Sequence, residues 1–158
     1  MLLIVDANVA PKVLVNKKPS EFTRLHFQIF SLRSVRITIV YGGKLLKEYS
    51  KINSVIRALA KLDQSGSACK VNDSKVGKED EKVKAMGRCK SNDSHVIALA
   101  RISGARLLCT DDNNLKIDFW NKALIDKPRG NVYSEDVHDS LLKKCDNVKR
   151  DRKARRGR

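Results

Sequence analysis

The chain has 158 residues, with 33 Lys and Arg against 18 Asp and Glu and a formal net charge of +15. That length fits one domain with a short tail and leaves no room for two independent cores, while 41% hydrophobic residues exclude a wholly disordered basic protein. No apolar run approaches the roughly 20 residues that span a bilayer, and the N-terminus lacks the basic and long apolar regions of a signal peptide, so a cytoplasmic chain with no membrane partner is expected.

Leu2-Leu-Ile-Val5 is a short continuous apolar run, the pattern of a strand buried on both faces of a parallel sheet. A helix is predicted over residues 7–18, with Pro11 tolerated near its first turn, and a second over 21–32 capped by Ser20. Arg36-Ile-Thr-Ile-Val-Tyr41 is β-branched and reads as a strand stopped by Gly42-Gly43. A long helix is predicted from Lys44 to Asp63. Residues 67–91 are polar and mixed, with Asn72-Asp73-Ser74 as a turn or cap and a weak helical pattern from Lys78 to Ala85. Ser91-Asn92 opens a helix over 93–103 that Gly104 ends, and Arg106-Leu-Leu-Cys-Thr110 is a third strand. A short helix over 114–120, a turn at Lys127-Pro-Arg-Gly130, a strand over 131–133 and a helix over 135–144 complete the domain. Strands alternating with helices predict an α/β fold with a parallel sheet, whose ligand crevice lies outside the carboxyl ends of the strands.

The charge is uneven. From Lys143 to Arg158 there are nine Lys or Arg and two Asp, a net of +7, and the remaining 142 residues carry +8. A domain over 1–144 followed by a basic, disordered tail over 145–158 is therefore expected. Lys149, Arg150, Arg152, Lys153, Arg155 and Arg156 favour a polyanion, and nucleic acid above all, because each phosphate contact releases counterions. Cys69, Cys89, Cys109 and Cys145 contain no C-x-x-C pair, so neither a zinc site nor a disulfide is assigned.

Against this background the placement of the acids is informative. Asp6 closes the first predicted strand, and Asp111 with Asp112 closes the third. Each taken singly is explained as a helix N-cap. Glu48 counts by helical steps onto Ile52, Val55, Leu59 and Leu62, which puts a carboxylate in line with a buried stripe and demands a partner, a cation or a metal. Asp93 opens its helix and shares a face with Val96, Ile97 and Ala100, while Ser91 or Asn92 can supply the cap and leave Asp93 free. His95 reads as a packing or hydrogen-bonding residue. Carboxylates converging on one spot repel one another unless a divalent ion neutralises them, and hard oxygen ligands select Mg²⁺ or Mn²⁺.

Three blocks together resemble the PIN-domain nucleases. They are Leu3-Ile-Val-Asp-Ala-Asn8, Gly42-Gly-Lys-Leu-Leu-Lys-Glu-Tyr49, and Asn92-Asp-Ser-His-Val-Ile-Ala-Leu-Ala100 continuing through Arg106-Leu-Leu-Cys-Thr-Asp-Asp112 to Asp118-Phe119. The resemblance implies a three-layer α/β/α sandwich around a mostly parallel sheet. It further implies hydrolysis of RNA phosphodiester bonds by metal-activated water, with Mg²⁺ or Mn²⁺ as cofactor. It carries the metal-binding role onto Asp6, Glu48, Asp93 and Asp111 or Asp112, with Asp111 the first choice, and gives Asn8 and Thr110 supporting hydrogen bonds. Small proteins of this kind are often toxins of toxin–antitoxin pairs, so an antitoxin partner and a homodimer are expectations too. The alternative is a catalytically inactive PIN-like RNA-binding module or RNA-processing factor.

Overall fold

The computed structural model describes residues 1–31, 37–135 and 140–142. Five strands, β1 (Leu2–Val5), β2 (Thr38–Tyr41), β3 (Ala68–Lys70), β4 (Leu107–Cys109) and β5 (Asn131–Tyr133), form one sheet in the order β3-β2-β1-β4-β5. Every pairing is parallel, with Leu3 opposite Ile39 on one side and Leu107 on the other. Helices α1 (Thr23–Phe30), α2 (Gly43–Tyr49), α3 (Asn53–Gln64), α4 (Asp73–Ala85), α5 (Ser94–Ser103) and α6 (Asn113–Trp120) flank it. The α/β fold with a parallel sheet expected from the alternating pattern is thus observed, and helices flanking the sheet agree with the α/β/α sandwich that the resemblance implies.

The core explains why the central strands are uninterrupted apolar runs. Leu3, Ile4, Val5, Ile39, Leu108 and Cys109 are buried on both faces of the sheet. Helix α5 is buried from Ser94 to Ala100 and packs against α4, so it has no solvated stripe over that length. Gly104, in the left-handed conformation at φ 78°, ends it as expected.

Four elements depart from the sequence-based expectations. The helix predicted over 7–18 shrinks to a five-residue π-helical turn, Pro11–Val15, in which Asn16 N–H donates to the Pro11 carbonyl. Asn16 then turns left-handed at φ 51° and stops it. Helix α1 starts at Thr23 rather than residue 21, because Ser20 Oγ and Thr23 Oγ1 engage the backbone of the turn ahead of it. The long helix predicted over 44–63 is two helices. Between them Lys51 and Ile52 make tighter bonds to the carbonyls of Glu48 and Tyr49, and Ile52 is extended. The mixed segment 67–91 contains the edge strand β3 and a 13-residue helix, α4, capped by Asn72 Oδ1 on Lys75 N–H.

Of the helix predicted over 135–144, residues 140–142 are helical, and its remaining part from 136 lies outside the described residues, as do Arg36 and the basic tail with its six named cations. Cys69, Cys89 and Cys109 are free thiols, and Cys109 is buried in β4. Among the described residues no helix is long and apolar enough to cross a membrane.

The strand order has a functional consequence. The chain leaves β1 toward β2 and β3, then returns to place β4 and β5 on the opposite side of β1. The switch point is the crevice at the carboxyl ends of β1 and β4, where open α/β sheets place their ligands. Asp6 follows β1 there, and Thr110-Asp111-Asp112 follows β4.

Candidate functional site

Asp6 stands at the centre of this crevice and is only 3% exposed. Its own N–H continues the sheet ladder to the Cys109 carbonyl at 2.9 Å, which fixes its backbone. Thr110, fully buried at the end of β4, donates from Oγ1 to Asp6 Oδ2 at 2.8 Å. The backbone N–H of Asn8 also reaches the Asp6 carboxylate, whereas the Asn8 side chain is exposed. Thr110 and Asn8 therefore both support Asp6, the second through its main chain.

Two donors do not offset the burial. Removal from water, reinforced by the charges of Asp93 and Asp111 and opposed by the bonds from Thr110 and Asn8, raises the Asp6 pKa from 3.8 to about 6. Folding with an ionised Asp6 is thus unfavourable relative to the unfolded chain, by about 3 kcal/mol for a shift of this size. Because the folded value is the higher one, the stabilising contribution is complete below about pH 4 and is lost as pH rises through about 6. Asp6→Asn removes this liability. In divalent-free buffer the variant is expected to match the wild type in urea unfolding at pH 4 and to exceed its stability by up to about 3 kcal/mol at pH 8. A difference that does not grow with pH would show that Asp6 is not the strained group.

Glu48 is carried by α2, the helix that follows β2. Gly42 and Gly43 make that connection possible. Gly43 takes φ 57°, its N–H is fixed by Asp73 Oδ1 at 2.7 Å, and a Cβ on Gly42 would lie 2.7 Å from the Val71 carbonyl oxygen. At the far end of α2, the buried Tyr49 hydroxyl donates to the Val5 carbonyl, tying the helix to the strand end beside Asp6. Glu48 is one residue before this tether, with its side chain a quarter exposed.

Asp93 occupies the N-cap position of α5 but makes no side-chain capping bond. The residues before it supply the local order: Ser91 Oγ accepts from Asp93 N–H at 3.3 Å. The Asp93 carboxylate is thereby left for the crevice. Its pKa is raised, first by burial, with His95 opposing and Glu48 and Asp112 adding repulsion.

His95 completes the group. It is buried, and Nε2 lies 3.2 Å from Glu48 Oε2. Burial holds its pKa below the ordinary value, although Glu48 and Asp93 pull the other way, so the imidazole is neutral at neutral pH. Donating from Nε2, it satisfies one oxygen of Glu48. Glu48, Asp93 and His95 each offer a ligand atom, and the three atoms lie within 4.8 Å of one another. Lys44 reaches Glu48 at 3.9 Å from a half-exposed position, a weak counter-charge for a crowd of acids.

The pair after β4 divides its work. Asp112 Oδ1 accepts from Leu115 N–H and caps α6, while its own N–H donates to Thr110 Oγ1. Asp111 is exposed, accepts no hydrogen bond among the described residues, and is near enough for its charge to be felt at Asp6. Of the two, Asp111 has the uncommitted carboxylate.

Two contributions were not read from the sequence. The first is the pairing of His95 with Glu48, residues 47 positions apart that nothing in the local pattern connects. The second is Asp118, fully buried in α6, which accepts from Lys90 N–H at 2.7 Å, Ser91 N–H at 2.8 Å and Ser91 Oγ at 2.7 Å. It anchors the loop that delivers Asp93. A buried acid next to Phe119 in an otherwise amphipathic stretch was the available signal. No protein-family model matches the chain, and neither curated proteins nor solved structures yield a match to it.

Proposed function

We propose that this chain is a divalent-metal-dependent endoribonuclease of the PIN type, with its active site at the carboxyl ends of β1 and β4. What supports this most is the grouping of Glu48 and Asp93 with His95, whose ligand atoms lie within 4.8 Å of one another, beside the buried Asp6, which feels the charges of Asp93 and Asp111 and has a pKa raised to about 6. A protein gains nothing in stability by crowding carboxylates at a partly desolvated spot, whereas a divalent cation turns that repulsion into binding.

The donor set fits a hard cation. Asp6, Glu48 and Asp93 would hold it, with Asp111 at the exposed rim as a further oxygen donor. All are carboxylates, which suit Mg²⁺ or Mn²⁺ better than a softer ion. A bound cation of this kind activates a water and neutralises the charge that develops on a phosphodiester under attack.

The remaining side chains orient these acids. Thr110 holds Asp6 in one rotamer by donating to Oδ2, and His95 does the same for Glu48, as outer hydrogen-bond partners commonly do at metal sites. Asp112 rigidifies the turn carrying Asp111 by capping α6. The net charge of +15 draws a polyanion toward an acidic crevice that would otherwise repel it.

Cleavage of an end-labelled single-stranded RNA tests the proposal. Internal cuts are expected with Mn²⁺ and none with EDTA. Because water is the nucleophile and the ribose 2′-hydroxyl is not, the products should carry no 2′,3′-cyclic phosphate. RNA binding without turnover would favour an inactive binding module, and cleavage that persists in EDTA would exclude the mechanism.

A further inference from the structure

A second feature lies beside the acid cluster. A groove of about 390 Å³ is lined by the polar Lys12, Lys17, Lys18, Ser20 and Ser54 together with the apolar Val15 and Pro19. Two segments supply this lining. One is the π-helical turn that follows Asp6 with the residues up to Ser20, and the other is the first turn of α3, six residues beyond Glu48. Lys12, which follows Asp6 by six residues and lines the groove, also feels the charge of Asp111, the exposed acid after β4.

The lysines are not equivalent. Lys12 is engaged by Glu21 at 3.0 Å and stacks over the Phe22 ring, 5.9 Å from its centroid. Lys17 and Lys18 are exposed and, among the described residues, have no acidic partner. The turn that carries them is nevertheless braced by hydrogen bonds. Asn16 turns left-handed immediately before them, its Oδ1 accepts from Thr23 Oγ1 at 3.1 Å, and Thr23 Oγ1 accepts from Ser20 N–H at 2.8 Å. Two unpaired cations are therefore presented from a braced turn, at the rim of the groove.

We propose that this groove is the track for the sugar–phosphate backbone of a single-stranded RNA, with Lys17 and Lys18 pairing with phosphates next to the one cleaved. The cleavage part of that statement rests on the nuclease reading. An acidic crevice repels the phosphates flanking the scissile one, so a substrate needs cations along its approach, and this groove provides them. The apolar part of the lining suits the face of a ribose or base, which a single strand leaves accessible.

The test is the affinity of the full chain for a short fluorescein-labelled oligouridylate, measured by anisotropy in EDTA across a KCl series. Lys17→Glu/Lys18→Glu is compared with Lys122→Glu/Arg129→Glu, which makes the same change in net charge at exposed positions beyond the end of α6 and before β5. Loss of two contacts is expected to make the log–log salt dependence shallower by about 1.4, at about 0.7 per phosphate on a single strand, and to weaken binding about tenfold at low salt. The distant pair should retain the wild-type slope. Lys17→Gln/Lys18→Gln, which only removes charge, should give the same slope change with a smaller loss of affinity.

If wild type binds and the groove variants keep its slope, the groove proposal is overturned and the nuclease reading stands. Equal losses in the groove and distant pairs would also overturn it, as would failure of wild type to bind. If wild type binds through the groove but does not cleave with Mn²⁺, the nuclease reading fails and the groove remains an RNA-binding site.

Discussion

Asp93→Asn is expected to lower Mn²⁺-dependent RNA cleavage about a thousandfold or more while leaving the fold and RNA affinity nearly unchanged. The substitution keeps size and shape but removes the charge that a hard cation requires. Asp93 makes no capping bond through its side chain, so α5 does not depend on the carboxylate. Its pKa is already raised by burial and by the nearby Glu48 and Asp112, so losing the charge relieves repulsion rather than breaking a stabilising pair. The variant should therefore be at least as stable as wild type without divalent ions. An inactive yet equally stable protein is the signature of a carboxylate retained for chemistry. Cleavage within tenfold of wild type would remove Asp93 from the proposed machinery.

Asp118→Ala is expected to have the opposite profile, with a large loss of stability, about 3 to 5 kcal/mol in urea unfolding. The side chain is fully buried and accepts three hydrogen bonds from Lys90 and Ser91. Truncation leaves two backbone N–H groups and one hydroxyl without their acceptor, and each orphaned donor costs about 1 to 3 kcal/mol if water does not reach it. A domain of this size has a total stability of about 5 to 15 kcal/mol, so the variant should fold but melt early. The damage is also local. Ser91 Oγ is the acceptor for Asp93 N–H, so releasing Ser91 loosens the residue that carries the metal-binding carboxylate. Hydrogen exchange at the amides of residues 90–93 should accelerate more than exchange in β1. A loss below about 1 kcal/mol would mean that solvent replaces Asp118 easily.

Features governed by local sequence were legible, and those governed by long-range pairing were not. Leu2–Val5 and Leu107–Cys109 are short apolar runs followed by polar residues, so the strands and the acids at their ends could be read directly. Gly104 and the Asn72 cap follow from backbone conformation and side-chain capping, which act within a few residues. The break at Ser50–Ile52 was invisible because Lys44 to Asp63 has continuous helical spacing, with no Gly or Pro. Its cause is tertiary: the hydroxyl of Tyr49 is fastened to β1, and Val55, Leu59 and Leu62 of α3 are buried on their own account.

That break also changes why Glu48 is half-buried. Helical counting placed it in line with Ile52 and Val55, but those residues belong to a separate segment. Glu48 is sheltered instead by its position one residue before the Tyr49 tether and by its contact with His95. The expectation that it needs a partner was sound, but the stripe used to reach it does not exist. Asp93 and His95 illustrate the same limit. On a helical wheel they face different ways, yet both reach Glu48, because Asp93 is an N-cap residue outside regular helical geometry. The edge strand β3 was missed since its three residues are largely exposed and carry no apolar run.

The nuclease activity proposed for this chain depends on the acids around the carboxyl ends of β1 and β4 forming one divalent-cation site. The most direct measurement is a titration of the metal-free protein with Mn²⁺, following the free ion by its electron paramagnetic resonance signal, in wild type, Asp6→Asn and Asp93→Asn. Wild type is expected to remove Mn²⁺ from solution at pH 7.5 and to bind it progressively more weakly below about pH 6, where protons compete for Asp6. Both variants should leave the ion free at concentrations that saturate wild type. Equal uptake of Mn²⁺ by all three proteins would contradict the site.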